Sequence, residues 1–163
     1  MLRPDGRLIL FDFGVAVRGP RTDTYEPGLL AGRPAYVAPE AARGEPVDRR
    51  ADVWSAGVLL WELLVGERLF HRGDVVRTLS AVTEEPVQPP SLRRSSVHRA
   101  LDNCALRALC RDLDGRYPSA ERFAADLAAW ARLAGREPDD KEVARWAFDG
   151  DTVRRTGEWS WSR

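Results

Sequence analysis

The chain has 163 residues, enough for one domain with a hydrophobic core but too few for two domains of ordinary size. Apolar residues make up 44% of it and charged residues 31%, a composition typical of a globular protein and not of a disordered one. The 25 basic and 25 acidic residues cancel, so no surplus of positive charge favours nucleic acid or an anionic membrane as a partner.

The sequence also gives expectations about the cellular compartment. The stretch MLRPDGRLIL has too short an apolar run for a secretory signal. The longest apolar segment, Val53–Val65, contains Ser55 and Glu62 and is shorter than the roughly 20 residues that span a bilayer. Cys104 and Cys110 fall on different faces of a helical pattern, which disfavours a disulfide. We therefore expect a cytoplasmic protein without a membrane segment.

The first predicted elements are a turn and a strand. Pro and Gly occupy favourable turn positions in Arg3–Gly6, and the apolar run Leu8–Phe11 is typical of a buried strand. Asp12 follows at the end of that run, where a buried carboxylate is costly unless it has a partner. From Val15 to Pro34 the sequence has no periodicity, and a loop of this length in a compact domain usually has a function.

The rest of the chain is predicted to be mostly helical. Arg50–Val65 is apolar on nearly all sides, which is typical of a central enclosed helix, and Gly66 is its predicted end. Ser119 is the predicted N-cap of a later helix, and Gly135 its predicted C-terminal stop. The predicted helices, in chain order, are Pro39–Ala42, Arg50–Val65, Asp74–Val82, one whose apolar stripe runs from Val97 to Ala108, one whose apolar stripe runs from Phe123 to Ala134, and Glu142–Phe148.

Four motifs in this order resemble the C-terminal lobe of the bacterial, eukaryotic-type Ser/Thr protein kinases. They are Asp12-Phe13-Gly14, Ala38-Pro39-Glu40, Asp52-Val53-Trp54-Ser55-Ala56-Gly57 and Arg116 before a final helix. The resemblance implies a mainly α fold, a partial kinase-like C-lobe with a short strand or hairpin remnant at the N-terminus. It also implies a truncated kinase domain over residues 1–134, with an activation segment at 12–40. Residues 135–163 would be a linker, a short helix and a flexible tail.

The resemblance assigns a cofactor-binding role to the first motif. Asp12 would ligate the Mg²⁺ that bridges the ATP phosphates, because a hard cation prefers carboxylate oxygen. Phe13 would pack under the neighbouring lobe, and Gly14 would let the backbone swing. The alternative is that Asp12 is an ordinary turn residue after a strand.

Three further residues receive structural roles from the resemblance. Glu40 and Arg116 would form a buried ion pair, for which the planar guanidinium is suited because it can bind both carboxylate oxygens. Asp52 would accept backbone N–H groups of a catalytic loop. Its other interpretation is an ordinary acid in the first turn of a helix, where the helix dipole favours it.

The activation segment offers three hydroxyl side chains, Thr22, Thr24 and Tyr25, on which a phosphate could pair with arginines and order the loop. They could equally be plain solvated loop residues. Arg33 stands where the family has a threonine that contacts the catalytic aspartate, a departure that weakens the case for Ser/Thr specificity.

The catalytic groups of the family are missing from this sequence. There is no Gly-rich G-x-G-x-x-G loop, the single lysine is Lys141 in the linker, and the single asparagine is Asn103 in a late helix. His71-Arg72-Gly73-Asp74 resembles His-Arg-Asp, but it follows the enclosed helix and contains an inserted glycine. We therefore expect no catalytic residue in this chain, and ATP and Mg²⁺ only by resemblance, without productive binding. Because phosphoryl transfer depends on positioning and charge stabilisation, the chain alone is predicted to be inactive.

Two functions remain open from the sequence. The first is a fragment of a kinase that transfers phosphate from ATP to protein hydroxyls in signal transduction. The second is a non-catalytic kinase-like docking or scaffold module, with a protein substrate or another kinase polypeptide as partner. Self-association is a further expectation, since part of the apolar Trp54–Val65 helix would face water without the helix that covers it in the family.

Overall fold

The structure is a computed structural model that describes residues 2–13, 33–136 and 139–148. The chain divides into two compact units, one formed by residues 1–16 with 131–163 and the other by residues 17–130. Most of the predicted loop 15–34 and the whole predicted tail 150–163 lie outside the described residues.

The described part is almost entirely helical. A 3₁₀ helix at Pro34–Tyr36 comes first. The α-helices that follow are α1 (Pro39–Ala42), α2 (Arg50–Val65), α3 (Val75–Glu84), α4 (Pro90–Arg93), α5 (Arg99–Ala108), α6 (Ala120–Leu133) and α7 (Asp140–Phe148). The mainly α fold class predicted from the sequence is confirmed.

Local sequence signals account for most helix ends. Gly66 ends α2 in the left-handed region at φ 85°, where a residue with a Cβ is strained. The Asp74 carboxylate accepts the Arg77 N–H at 2.8 Å and caps α3, so the predicted Asp74 start is the cap and the helix extends to Glu84. The Ser119 hydroxyl accepts the Arg122 N–H at 3.3 Å, as an N-cap does.

The sequence predicted no helix at α4, which begins at the last proline of the stretch EEPVQPP. Pro90 is the first residue of this helix, a position where the missing N–H costs nothing and the fixed φ favours the helix. The Asp102 carboxylate then accepts both the backbone N–H of Ser91, at 2.8 Å, and its hydroxyl, at 2.6 Å. This contact from α5 stabilises a helix too short to be recognised by periodicity.

Helix α2 is the centre of the larger unit. Trp54, Val58 and Trp61 lie in one buried cluster with residues that include Phe70, Val82 and Leu109. On another side, Val53 packs with Cys104, Ala108, Tyr117 and Phe123 in a second cluster. A Cβ on Gly57 would come within 2.8 Å of the Ala108 Cβ, so only glycine allows α2 and α5 to approach this closely.

Not all of α2 is enclosed, however. Leu59 and Leu63 are one turn apart and are 51% and 57% exposed. The sequence predicted that part of this apolar helix would face water, and for these two side chains the prediction is confirmed.

Among the described helices, none is long and apolar enough to cross a membrane.

The N-terminal residues of the smaller unit differ from the prediction. The turn at Arg3–Gly6 forms, with the Gly6 N–H donating to the Arg3 carbonyl at 2.9 Å. The strand predicted at Leu8–Phe11 is wrong, because the described segment has only one isolated antiparallel bridge, between Leu2 and Leu8. The hairpin remnant is thus present without a regular strand. A two-stranded ladder on its own is only marginally stable, so the apolar run does not become a buried strand here.

Candidate functional site

The Asp-Phe-Gly motif lies at the end of the exposed N-terminal segment. Asp12 is exposed and has a positive φ of 64°, the only described non-glycine residue that does. Aspartate tolerates this region better than most side chains, but it still marks a point of backbone strain. Phe13 is 66% exposed, and Gly14 lies outside the described residues.

The Asp12 carboxylate by itself does not make a nucleotide site. Among the described residues no group of three or more His, Cys, Asp or Glu side chains could hold a metal ion. Mg²⁺ in nucleotide sites is held by one or two carboxylates together with substrate phosphates, and a lysine contacts those phosphates. Of the residues that the resemblance assigns to the nucleotide site, the described part of the chain contains one carboxylate, Asp12, and we derive no phosphoryl-transfer step from it.

The residues just before the Ala-Pro-Glu motif lead from the surface into the core. Arg33 is exposed, with extended backbone at φ −92° and ψ 121°, and the 3₁₀ helix starts after it. Ala35 and Ala38 are buried against α2 and its neighbours. The hydroxyl residues Thr22, Thr24 and Tyr25, proposed as phosphorylation sites, lie outside the described residues.

Glu40 and Arg116 are brought together as the sequence predicts. Both are buried, at 2% exposure, and the two guanidinium NH₂ groups of Arg116 donate to the two Glu40 oxygens at 2.8 and 3.0 Å. Arg116 also donates to the carbonyls of Cys110, at 2.9 Å, and Arg50, at 3.0 Å. Its guanidinium carbon lies 5.2 Å from the ring centroid of Trp54. The pair ties α1 to the loop before α6 and to α2, with hydrogen bonds that offset its desolvation.

A second buried carboxylate was not recognised from the sequence. Glu62 on α2 is 2% exposed, and it accepts a hydrogen bond from the Tyr36 hydroxyl at 2.7 Å and from the Leu69 N–H at 3.1 Å. Arg68 forms an ion pair with it at 3.2 Å and also contacts the Tyr36 hydroxyl. Burial, followed by the hydrogen bond to Glu62 and its negative charge, raises the pKa of Tyr36 above its ordinary value.

This network fixes the segment before α1 on the central helix. The Ser55 hydroxyl donates to the Tyr36 carbonyl at 2.8 Å, so both ends of Tyr36 are held by α2. The signal in the sequence was the glutamate itself, a charged residue in an otherwise apolar stretch. Such a residue needs a partner, and the partner could not be named before the chain was folded.

We expect Glu62→Ala to lower the free energy of unfolding by about 2–3 kcal/mol, because it leaves the Tyr36 hydroxyl and the buried Leu69 N–H without an acceptor. Urea unfolding followed by far-UV circular dichroism measures the loss. The matched control is Glu67→Ala, which removes a glutamate paired with Arg93 at the surface. That change is expected to cost less than about 1 kcal/mol. Equal losses in the two variants would contradict the role given to Glu62.

Asp52 is exposed in the first turn of α2. No donor in residues 2–13, 33–136 or 139–148 forms a hydrogen bond with its carboxylate. Its position is the one at which a negative charge interacts favourably with the helix dipole. The described residues include no N–H donor to this carboxylate, so both interpretations of Asp52 stay predictions.

One open depression of about 410 Å³ lies beside α3, lined by Arg72, Val76, Arg77, Ser80 and Glu85. Its two arginines are already engaged, Arg72 with Glu85 and Arg77 with Asp74. It is therefore no ready-made anion site.

Comparisons with known proteins agree with these motifs. The family model "Protein kinase domain" matches residues 1–126. A tyrosine-protein kinase MasK of Myxococcus xanthus is 37% identical over 119 residues, which are 73% of this chain and 18% of that protein. Serine/threonine-protein kinases PknB are similar too. The Mycolicibacterium smegmatis protein is 37% identical over 147 residues, 88% of this chain and 23% of that one. The Mycobacterium tuberculosis protein is 34% identical over 143 residues, 86% of this chain and 22% of that one. The chain thus spans about a fifth of the length of these curated relatives.

Proposed function

The chain belongs to the protein kinase domain family, and from this premise we propose that it is the mainly helical C-lobe part of a bacterial Ser/Thr protein kinase. The proposed reaction of the whole enzyme is ATP-dependent transfer of phosphate to protein hydroxyls in cytoplasmic signalling. The observation that carries the proposal is the family match over residues 1–126. We place the kinase part at residues 1–134, with the linker, short helix and tail after it.

The buried contacts support this proposal physically. The Glu40–Arg116 ion pair and the Tyr36–Glu62 hydrogen bond hold residues 34–42 against α2 from two sides. A segment fixed in this way can present backbone and side chains to a protein substrate without paying much ordering entropy on binding. In the whole enzyme, Asp12 ligates the Mg²⁺ that binds the ATP phosphates, and other parts of the enzyme position the ATP.

We further propose that the 163 residues alone do not transfer phosphate. The sequence contains one lysine and one asparagine, and neither lies in a motif that contacts phosphate or a second metal ion. Without these groups the nucleotide is not positioned, and positioning supplies most of the catalysis in phosphoryl transfer.

The test has two parts, the chain alone and a mixture. Radiolabelled ATP measures phosphate transfer in both, and thermal unfolding of the chain alone measures its melting temperature. The purified chain with Mg·ATP and a generic acceptor protein is expected to show no transfer and no rise in melting temperature. When the chain is mixed with the complementary N-terminal fragment of PknB, transfer is expected to appear. It should be lost in Asp12→Asn and retained in Asp114→Asn, a control at another exposed carboxylate.

Each part can fail separately. Transfer by the chain alone that disappears in Asp12→Asn would overturn the proposed inactivity. No transfer in the mixture, although the two fragments bind each other, would instead favour the non-catalytic docking module.

A further inference from the structure

A turn rich in positive charge joins helices α4 and α5. The stretch Ser91–Arg99, SLRRSSVHR, contains three arginines and one histidine and no acidic residue. Ser95 and Ser96 lie exposed in its middle, and the Val97 N–H closes the turn by donating to the Arg94 carbonyl at 3.0 Å. We call residues 94–97 the basic turn. It combines exposed hydroxyl groups with a local excess of positive charge in a chain whose net charge is zero.

Arg94 is already in contact with the Ser96 hydroxyl. Its Nε–H donates to Ser96 Oγ at 3.1 Å, and one of its NH₂ groups donates to the Leu64 carbonyl, near the end of α2, at 3.4 Å. The preceding residue, Arg93, forms an ion pair with Glu67 at 2.5 Å. Both arginines therefore connect the basic turn to the C-terminal end of α2, and one of them lies on the oxygen of Ser96 itself.

The basic turn also leads directly into α5. His98 is the N-cap of this helix, and its Nδ1 accepts the Ala100 N–H at 3.1 Å. The first helical residue, Arg99, follows Ser96 by three positions. A negative charge near the first turn of a helix interacts favourably with the helix dipole, and a phosphate next to an arginine forms charge-assisted hydrogen bonds. A phosphate on Ser96 would thus meet positive charge from both a side chain and a helix end.

We propose that Ser96 is a phosphorylation site for a separate, arginine-directed protein kinase, and that Arg94 and the N-terminus of α5 hold the added phosphate. Kinases of this class select their acceptors by charge, through arginines on the N-terminal side that pair with carboxylates of the enzyme. Arg93 and Arg94 precede Ser96 by three and two positions.

The transfer needs only Mg·ATP and the acting kinase. The Ser96 oxygen forms a bond to the γ-phosphorus of ATP, and the bond from that phosphorus to the oxygen of ADP breaks. The hydroxyl proton passes to a carboxylate of the acting kinase, and ADP leaves.

Another serine has an arginine at the same spacing and provides an internal comparison. Ser80 follows Arg77 by three positions and is also exposed. It lies inside α3, however, where the Arg77 side chain pairs with Asp74 at 3.3 Å. An enzyme reaches the backbone around a helical residue only after helical hydrogen bonds break, whereas an exposed turn between helices opens locally. The backbone conformation therefore favours Ser96 over Ser80.

Incubation of the 163-residue chain with Mg·ATP and the catalytic subunit of cyclic-AMP-dependent protein kinase, an arginine-directed enzyme, tests the acceptor. Tandem mass spectrometry of the peptides is expected to place the phosphate on Ser96. Ser96→Ala should slow phosphate incorporation by about fivefold or more, because the positioned acceptor is lost. Ser95→Ala and Ser80→Ala are matched controls at exposed serines, and both should stay within about twofold of the wild type, because the arginines before Ser96 are unchanged.

The proposed contacts of the phosphate have a test that does not depend on the kinase. Phosphoserine placed at position 96 during translation should raise the melting temperature by about 2–4 °C, as one further charge-assisted hydrogen bond does in a domain of this size. In an Arg94→Gln background the rise should fall to about half or less, because the main partner of the phosphate is lost. Phosphoserine at position 80 is the control. It should give no rise, because the Ser80 hydroxyl contacts Glu84 in the C-terminal half of α3.

Each part of the proposal can be overturned separately. Phosphate found mainly on another residue, or no phosphate after prolonged incubation, overturns the assignment of Ser96 as acceptor. An unchanged or lower melting temperature with phosphoserine at position 96, or equal rises with and without Arg94, overturns the proposed contacts. None of these outcomes concerns transfer by the chain itself, because the acting kinase is a separate protein.

Discussion

Replacing Arg116 with alanine is expected to lower the free energy of unfolding by about 3–5 kcal/mol, the cost of leaving one partner of a buried ion pair alone. The change removes both hydrogen bonds to Glu40 and those to the carbonyls of Cys110 and Arg50. It also strands the Glu40 carboxylate at 2% exposure. Since small domains are stable by only about 5–15 kcal/mol, this loss is a large share of the total. Thermal unfolding followed by circular dichroism measures it.

Three further variants distinguish the ion pair from a general loss of packing. Arg116→Lys keeps the charge but not the two-pronged geometry, and is expected to fall between wild type and Arg116→Ala. Arg77→Ala breaks an exposed pair with Asp74 and should cost less than about 1 kcal/mol. The double variant Glu40→Ala/Arg116→Ala should cost less than the sum of the single changes. Strict additivity would mean that the two residues are not coupled.

Trp54→Ala is expected to lower the free energy of unfolding by about 3–5 kcal/mol, because it creates a large cavity in the main core cluster. Trp54 is fully buried and stacks on Phe70, with ring centroids 5.7 Å apart and planes inclined by 9°. It also lies against Arg116, so the cavity would weaken the support of the ion pair. Urea unfolding of the purified variant gives the value.

A comparison with Trp61 tests whether the indole N–H of Trp54 contributes to the stability of the fold. The Trp54 Nε1–H is buried and has no hydrogen-bond partner among the described residues, whereas the Trp61 Nε1–H donates to the Gln88 carbonyl at 2.8 Å. Trp54→Phe therefore loses no hydrogen bond, and Trp61→Phe loses one. We expect Trp61→Phe to be the more destabilising change by about 1 kcal/mol. The reverse order would show that Trp54 Nε1–H has a partner that stabilises the fold.

Most helices could be predicted because their signals are local. Arg50–Val65 combined an apolar pattern with Gly66 at its end, and both bounds were correct. The helix α4 was missed because four residues carry no periodicity, and Asp102 of another helix stabilises it. The strand at Leu8–Phe11 was predicted from its composition, but a regular strand needs a neighbouring strand for its backbone, and the described residues contain an isolated bridge between Leu2 and Leu8 instead.

The residues of the candidate site also divide into those that the sequence could predict and those that it could not. Glu40 and Arg116 could be paired from their motifs, although they are 76 positions apart in the chain. Glu62 could not be paired, because its partners lie in two separate segments, Tyr36 in the 3₁₀ helix and Leu69 after α2, and nothing in their local sequences indicates which segment packs on α2. Asp12 was recognised from its motif, but the motif does not indicate whether the side chain is exposed, because exposure depends on which residues pack around it.

The sequence by itself determined the order of the helices through periodicity along the chain, and its motifs indicated the family and the long-range ion pair through their resemblance to the protein kinases. Only the tertiary structure decided which side chains of α2 are enclosed, which carboxylates are buried and which apolar residues remain open to water. The physical reason is that burial depends on what packs against a residue. That neighbour is usually distant in the sequence, as Leu59 on the open face of α2 and Trp54 on its enclosed face show within one helix.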